Sequence, residues 1–330
     1  MNATLKMEDL LETHEPHWVS RAAFPVVMLV FLLNQALLGA ALYRDYFWLA
    51  ALLVLSVSHL MHGLLISFHE AAHGLLRRNR RWNEINGVVL GVLSFMSFSL
   101  YRAAHQSHHA HLATVRDEEL WPFVITKMPR WRRIAAAFLE LNAGVFYTPF
   151  LFLRTFWRAG SPIRNKRLRR RILAELALMV FVWSCLLGAV ALLGVWKYFL
   201  WMYVAPAYLA GNLQSWRKYI EHMGLTGSTV NSSTRSIVSE GLIGRFVSFT
   251  LLHEPYHGVH HRDSGLPHAE LPAHASELEP RNLGETPPFL SYRHALLHLF
   301  RNLADPRVGA QWRTVPYPEP DLAIDLQAQN

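Results

Sequence analysis

Residues 47–68 read FWLAALLVLSVSHLMHGLLISF, and the next five are His69-Glu70-Ala71-Ala72-His73. The first part carries no formal charge apart from histidine, and a run of about 18 or more apolar residues can cross the hydrocarbon core of a bilayer as a helix. The second part sets two imidazoles four residues apart, on one face of that helix. An apolar span ending in a pair of potential metal ligands is the unit from which the rest of the chain is read.

Working outward, residues 22–43, AAFPVVMLVFLLNQALLGAALY, form a second uncharged run, and 172–195, interrupted only by Glu175, and 198–213 supply two more. These runs predict an all-α integral membrane protein with about four transmembrane helices, near 22–43, 47–68, 172–195 and 198–213. The shorter apolar stretches at 85–100 and 135–153 read as re-entrant, interfacial or buried segments. The first run follows an acidic, polar segment and has no convincing cleavage site, so it reads as a span rather than a cleavable signal. Residues 1–304 form one domain in this reading and 305–330 a tail, with a surface loop over 262–288 and one late helix over 289–304. The lone cysteine, Cys185, lies in a span, which excludes an intrachain disulfide and a cysteine metal site and leaves it a packing role.

The net charge of +8 comes from clusters beside the spans: Arg77, Arg78, Arg80 and Arg81, then Arg130, Arg132 and Arg133, then Arg164 to Arg171. Lys and Arg mark cytoplasmic loops, and no nucleic-acid recognition motif accompanies them. The termini and residues 69–171 are therefore expected in the cytoplasm, with hairpins turning outside near Arg44 and Asp45 and near Lys197. The stretch 164–171 also offers charge to lipid phosphates.

The chain has 19 histidines, and their placement is more telling than their number. After His69 and His73 comes His105-Gln106-Ser107-His108-His109, then Glu221-His222, then His257-Gly258-Val259-His260-His261. Spacings of three and four put ligands on a common helical face. One HxxxH alone is weak evidence; two HxxHH clusters beside it in a membrane chain call for metal. Zinc takes about four ligands, and about nine are on offer, a surplus that suits two ions. An all-imidazole site suits iron, zinc, copper or nickel, of which iron gives such a site redox work. The charge-based topology brings all four clusters to one membrane face, the cytoplasmic one, as the cap of the helices. Glu70, Asp117, Glu118, Glu221, Glu254 and Asp263 lie near enough to support imidazoles through their second nitrogen. His111 and His253 flank clusters, and His59 and His62 sit inside a span, where an ionisable residue suggests function. His14, His17, His268, His274, His294 and His298 read as surface.

These residues resemble the membrane fatty acid desaturase-like superfamily, which includes acyl desaturases, alkane and xylene monooxygenases, and carotenoid ketolases and hydroxylases. Its three histidine boxes, HxxxH, HxxHH and HxxHH, correspond here to His69–His73, His105–His109 and His257–His261, and Lys218 to Leu225 resembles the additional EH box of the alkane monooxygenase branch. The likeness covers most of 47–262. It implies a non-haem di-iron centre held by His69, His73, His105, His108, His109, His222, His257, His260 and His261, with O2 as co-substrate and removal of hydrogen from an unactivated C–H bond. It also offers Asn212, beside Trp216, as a minor candidate near the irons. A fatty acyl desaturase is the first expectation. A hydroxylase, monooxygenase or ketolase of a fatty acid, alkane, carotenoid or specialised metabolite is the alternative, and a metal transporter or sensor the rival from another class. No haem-attachment motif, iron–sulfur cysteine set or dinucleotide fingerprint is present, so a separate ferredoxin, rubredoxin or cytochrome b5-like donor is implied. The expected location is a bacterial inner membrane, among membrane lipids.

Overall fold

The computed structural model describes residues 22–239, 241–282 and 284–313. His14, His17 and residues 314–330 lie outside that range. Among the described residues the chain is helical, with one isolated bridge between Ile237 and Phe289 and no strand.

Helices α1 (Ala23–Tyr43) and α2 (Phe47–His73) form the first hairpin. Gly74, at φ 82°, ends α2 in the left-handed conformation that glycine adopts without strain. Next come α3 (Arg80–Leu93), capped by Asn79, and α4 (Phe98–Ala110), capped by Ser97. They meet at 100°, a broken pair in the stretch expected to be re-entrant or buried. Helix α5 (Arg130–Trp157) and helix α6 (Lys166–Leu193) follow. Then α7 (Trp196–Phe199), a π turn (Leu200–Val204) and α8 (Ala205–His222) run on through helical dihedrals at both junctions, carrying the expected 198–213 span to His222.

Four helices are long and apolar enough to cross a membrane: α1, α2, α5 and α6. Helix α5 is longer than the 135–153 stretch suggests and is broken within, with Ala143 at φ −140°. A break in a helix must have its freed backbone groups satisfied, above all in a membrane. Here α8 satisfies them: Asn212 Oδ1 accepts from Gly144 N at 2.9 Å, and Asn212 Nδ2 and Tyr208 OH donate to Asn142 O. Asn212 therefore braces α5, with its amide group engaged by Gly144 and Asn142. Gly144 and Gly211 allow this contact; a Cβ on Gly211 would lie 2.8–2.9 Å from Val145, the small-residue packing of membrane helices.

The hairpin turns expected on one side do meet: Lys197 Nζ donates to Leu42 O at 2.7 Å and Asp45 Oδ1 at 2.6 Å. Glu175, the one charge in its apolar run, faces inward and accepts from Ser97 Oγ, Ser99 N and Ser99 Oγ at 2.6–2.8 Å, placing a carboxylate at the start of α4.

The remaining helices are short: α9 (Val230–Ser233), α10 (Leu242–Thr250), α11 (His257–Arg262) and α12 (Tyr292–Asn302), the late helix expected over 289–304. The expected surface loop contains a helical turn, Leu271–Leu278, whose two end leucines are buried. Residues 305–313 pack on the body: Val308 and Trp312 are buried, and Arg133 donates to Pro306 O and Asp305.

Candidate metal centre

Four segments deliver the histidine clusters to one place. The last turn of α2 brings His69 and His73; α4 brings His105, His108 and His109; the end of α8 brings His222; α11 brings His257, His260 and His261. The last of these follows a tight turn in which Leu252 and His253 adopt φ 49° and 57°, uncommon for residues with side chains. Gly63 lets this turn press on α2, since a Cβ there would lie 2.5 Å from Thr250 O.

The nine rings gather in two adjoining lobes. His69, His73, His105, His109 and His260 form one group whose ligand atoms lie within 4.8 Å of one another. His108, His222 and His261 form another, joined by His257, whose Nε2 lies 2.9 Å from His222 Nε2. Each HxxHH cluster divides. His105 and His109 serve the five-ring lobe while His108 turns to the other; His257 and His261 serve the four-ring lobe while His260 crosses over. Helical geometry explains the split: residues four apart are about 40° apart around the axis, and the one between them points elsewhere.

The lobes meet where His109 stacks on His261 with centroids 4.3 Å apart. Behind the rings stand carboxylates and a carbonyl. His105 Nδ1 pairs with Glu119 at 2.8 Å, His108 Nδ1 with Asp117 at 2.8 Å, His257 Nδ1 with Glu254 at 3.0 Å, and His222 Nδ1 with Ser233 O at 3.1 Å. An imidazole whose Nδ1–H is engaged in this way turns an Nε2 lone pair inward.

Metal ions fit this arrangement better than hydrogen bonding alone. His105 Nε2 lies 2.9 Å from His73 Nε2 and 3.1 Å from His109 Nε2, which in turn lies 3.1 Å from His260 Nε2. One donor and one acceptor per neutral ring cannot satisfy such a cluster. Neighbouring ligands of one ion, with metal–nitrogen bonds near 2.1 Å, stand about 3 Å apart. Both ring nitrogens of His69 and of His261, and Nδ1 of His260, are buried without a hydrogen-bond partner. Burial is the largest influence on His257, His260 and His261 and holds each well below its ordinary value, so these rings stay neutral and keep their lone pairs.

Of the acidic residues near the clusters, Asp117 and Glu254 support rings. Glu118 points the other way, to Arg154 and Arg158, and Asp263 caps Gly265. Glu221 pairs with Arg217. Glu70 is buried with neither oxygen hydrogen-bonded. Sequence reasoning passed over Glu119, although it ends the run Asp117-Glu118-Glu119, and Arg217, whose spacing of four to Glu221 was the available signal. His111 caps α4 and belongs to neither group, and His253 Nδ1 pairs with Ser248. His268, expected at the surface, is 8% exposed and 6.3 Å from the His253 ring. Burial pushes His253 and His268 down to about 4 each.

Two cavities adjoin the site. One of about 40 Å³ touches His69, His105, His108, His222 and His257. The other, about 460 Å³, lies among α2, α8, α10 and α12 with a mainly apolar wall that includes Trp216, Leu251 and Phe300. His59 and His62 face this second cavity, and Arg217 borders both.

Membrane-length helices around a buried histidine cluster define a multi-pass membrane protein with a candidate metal centre. A family model described as fatty acid desaturase matches residues 46–293, and the chain belongs to that family, which makes it a desaturase-like, membrane-bound oxidoreductase. It is also 23% identical over 264 residues to a fatty acid desaturase of Bacillus subtilis (strain 168), covering 71% of this chain and 72% of that one.

Proposed function

We propose that the protein is an O2-dependent fatty acyl desaturase with two non-haem irons, working from the cytoplasmic side of a bacterial inner membrane. The observation that carries this reading is the division of nine imidazoles into a five-ring and a four-ring lobe, backed by carboxylates. His69, His73, His105, His109 and His260 would hold one iron, and His108, His222, His257 and His261 the other. When bound, the pair supplies reductive activation of O2. The substrate gives up two hydrogens, a donor supplies two electrons with two protons, and O2 leaves as two waters.

The chain's own residues bury the site, fix the rings and shape the path to it. The 460 Å³ cavity is within the range of ligand pockets. His62 and His59 stand seven and ten residues before His69, roughly 10–15 Å of helix rise, so an acyl chain in this cavity would run from the membrane interior toward the rings. The electrons come from a separate ferredoxin, rubredoxin or cytochrome b5-like protein.

Hydroxylation is the second reading, favoured by the Glu221-His222 pair, whose histidine stands in the four-ring lobe. Product mass separates the two: loss of two hydrogens against gain of one oxygen. A transporter or sensor would place ligands along a membrane path, whereas these rings collect at the ends of α2 and α8.

The test is iron and zinc content of protein from iron-supplemented cells, with oxygen uptake on adding reductant. About two irons per chain are expected, falling below two in His108→Ala and His260→Ala, which remove one ring from each lobe. One metal or none after iron reconstitution, with no oxygen uptake, would overturn the reading.

A further inference from the structure

Most supporting groups around the rings serve a single lobe. Glu119 contacts His105 in the five-ring lobe, and Asp117 contacts His108 in the four-ring lobe. Glu254 stands between the lobes. Its Oε1 pairs with His257 Nδ1 at 3.0 Å, in the four-ring lobe, and its Oε2 lies 3.5 Å from His69 Nδ1, in the five-ring lobe. It is 0% exposed, so solvent does little to screen its charge.

A wholly buried carboxylate needs a counter-charge. Arg217 supplies it: Nη1 donates to Glu254 Oε1 at 2.8 Å and to both oxygens of Glu221 at 2.6 and 2.7 Å. Arg217 and Glu221 lie on α8, the helix that ends in His222. One guanidinium thus links the helix bearing His222 to the turn leading into His257, and through Glu254 it reaches the last turn of α2.

Resting on the two-metal reading above, we infer that Glu254, held in place by Arg217, is a shared positioning carboxylate that sets the metal affinity of both lobes together. A carboxylate behind a ligating imidazole fixes its tautomer and orientation and raises its basicity, and losing one lowers metal affinity about 10–100-fold. Asp117 and Glu119 exert this effect on one lobe each. Glu254 exerts it on His257 by direct contact and on His69 through its nearby charge. Arg217 donates to carboxylates and not to a ring: it acts through Glu254 on both lobes and through Glu221, whose Oε2 lies 3.6 Å from His257 Nε2, on the four-ring lobe.

The experiment uses the full chain in detergent, stripped of metal and titrated anaerobically with 57Fe(II), with Mössbauer spectra resolving the two sites. Wild type is expected to fill two. Glu119→Gln weakens one site and Asp117→Asn the other, by about 10–100-fold. Glu254→Gln, nearly the same shape, weakens both: the four-ring site by about 10–100-fold through the lost contact with His257, and the five-ring site by a smaller but measurable factor through the lost charge beside His69. Arg217→Met reproduces that double loss, and Arg217→Lys, which keeps the charge, recovers part of it. Thermal melts of the metal-free variants separate loss of fold from loss of affinity. Weakening of one site alone by Glu254→Gln, or no weakening, would overturn the inference, as would Arg217→Lys behaving like Arg217→Met. Fewer than two sites in wild type would sink the two-metal reading itself and this inference with it, whereas two wild-type sites unmoved by Glu254→Gln would sink only the inference.

Discussion

Helix α6 and the segment from Glu254 to His261 depart from soluble-protein habits in opposite directions. On α6 the apolar side chains face outward: Val180 is 64% exposed and Leu192 90%, while only Ile172, Glu175, Trp183 and Val190 are buried. In the second segment the polar side chains face inward: Glu254, His257 and His260 are all buried. Each makes sense against an environment the chain does not itself provide. An exposed apolar helix costs little in lipid, and inward imidazole lone pairs are stabilised by a cation. The comparison teaches that a buried or exposed residue has to be judged by what it faces. Glu175 on α6 obeys the interior rule, because its inward side meets three donors.

The comparison can be broken most severely at Glu175. Glu175→Leu keeps α6 apolar but strands the hydroxyls of Ser97 and Ser99 and the amide of Ser99, at about 1–3 kcal/mol for each buried unsatisfied group. A net loss of about 4 kcal/mol is expected, read as a large drop in thermal stability in detergent. An unchanged melt would mean that this face of α6 does not pack on α4.

The outward face gives the next largest effect. Val180 lies mid-helix, so Val180→Arg should disfavour membrane insertion by about 2.5–3.5 kcal/mol. Leu192→Arg, one residue from the helix end, should change little because its long side chain can reach the interface. Insertion assays comparing the two sharpen the contrast; equal effects would mean that α6 does not cross the bilayer with residue 180 near its centre.

The smallest effect tests the interior near the third histidine box. His253 and His268 are held neutral by burial, each lowered to about 4. The unfolded chain binds these protons near pH 6.5, so the stabilisation is complete above about pH 6.5 and is lost as pH falls toward 4. Each group should contribute a loss of about 1–2 kcal/mol by pH 5. Melting temperature should therefore fall between pH 7 and pH 5, and fall less in His268→Gln. Equal slopes in the two proteins would exclude His268 as a source of the acid sensitivity.

Much of this was legible early because the signals are local. Hydropathy marked α1, α2 and α6, spacings of three and four picked out eight rings, and the Glu221-His222 pair added the ninth that the fold brings beside them. Helix α5 was harder to read, since Asn142, Gly144 and Pro149 interrupt its pattern and the groups that satisfy its break lie on α8, at Tyr208 and Asn212. Glu118 and Glu119 are adjacent in sequence yet face Arg154 and His105 respectively, a difference set by one turn of chain.

The sequence by itself determined α1, α2 and α6 as membrane-length helices, and the faces of the three histidine clusters, because both follow from periodicities within a single helix: an uninterrupted apolar length and a repeat near 3.6 residues. It did not single out α5, and the expected 198–213 span is not among the four helices long and apolar enough to cross. Only the tertiary structure decided that each HxxHH box divides between two lobes, that Asn212 braces a helix, and that Arg217 and Glu254 join segments 37 residues apart beneath both lobes. Those outcomes depend on which buried charges and lone pairs end up facing one another, and no local pattern encodes that.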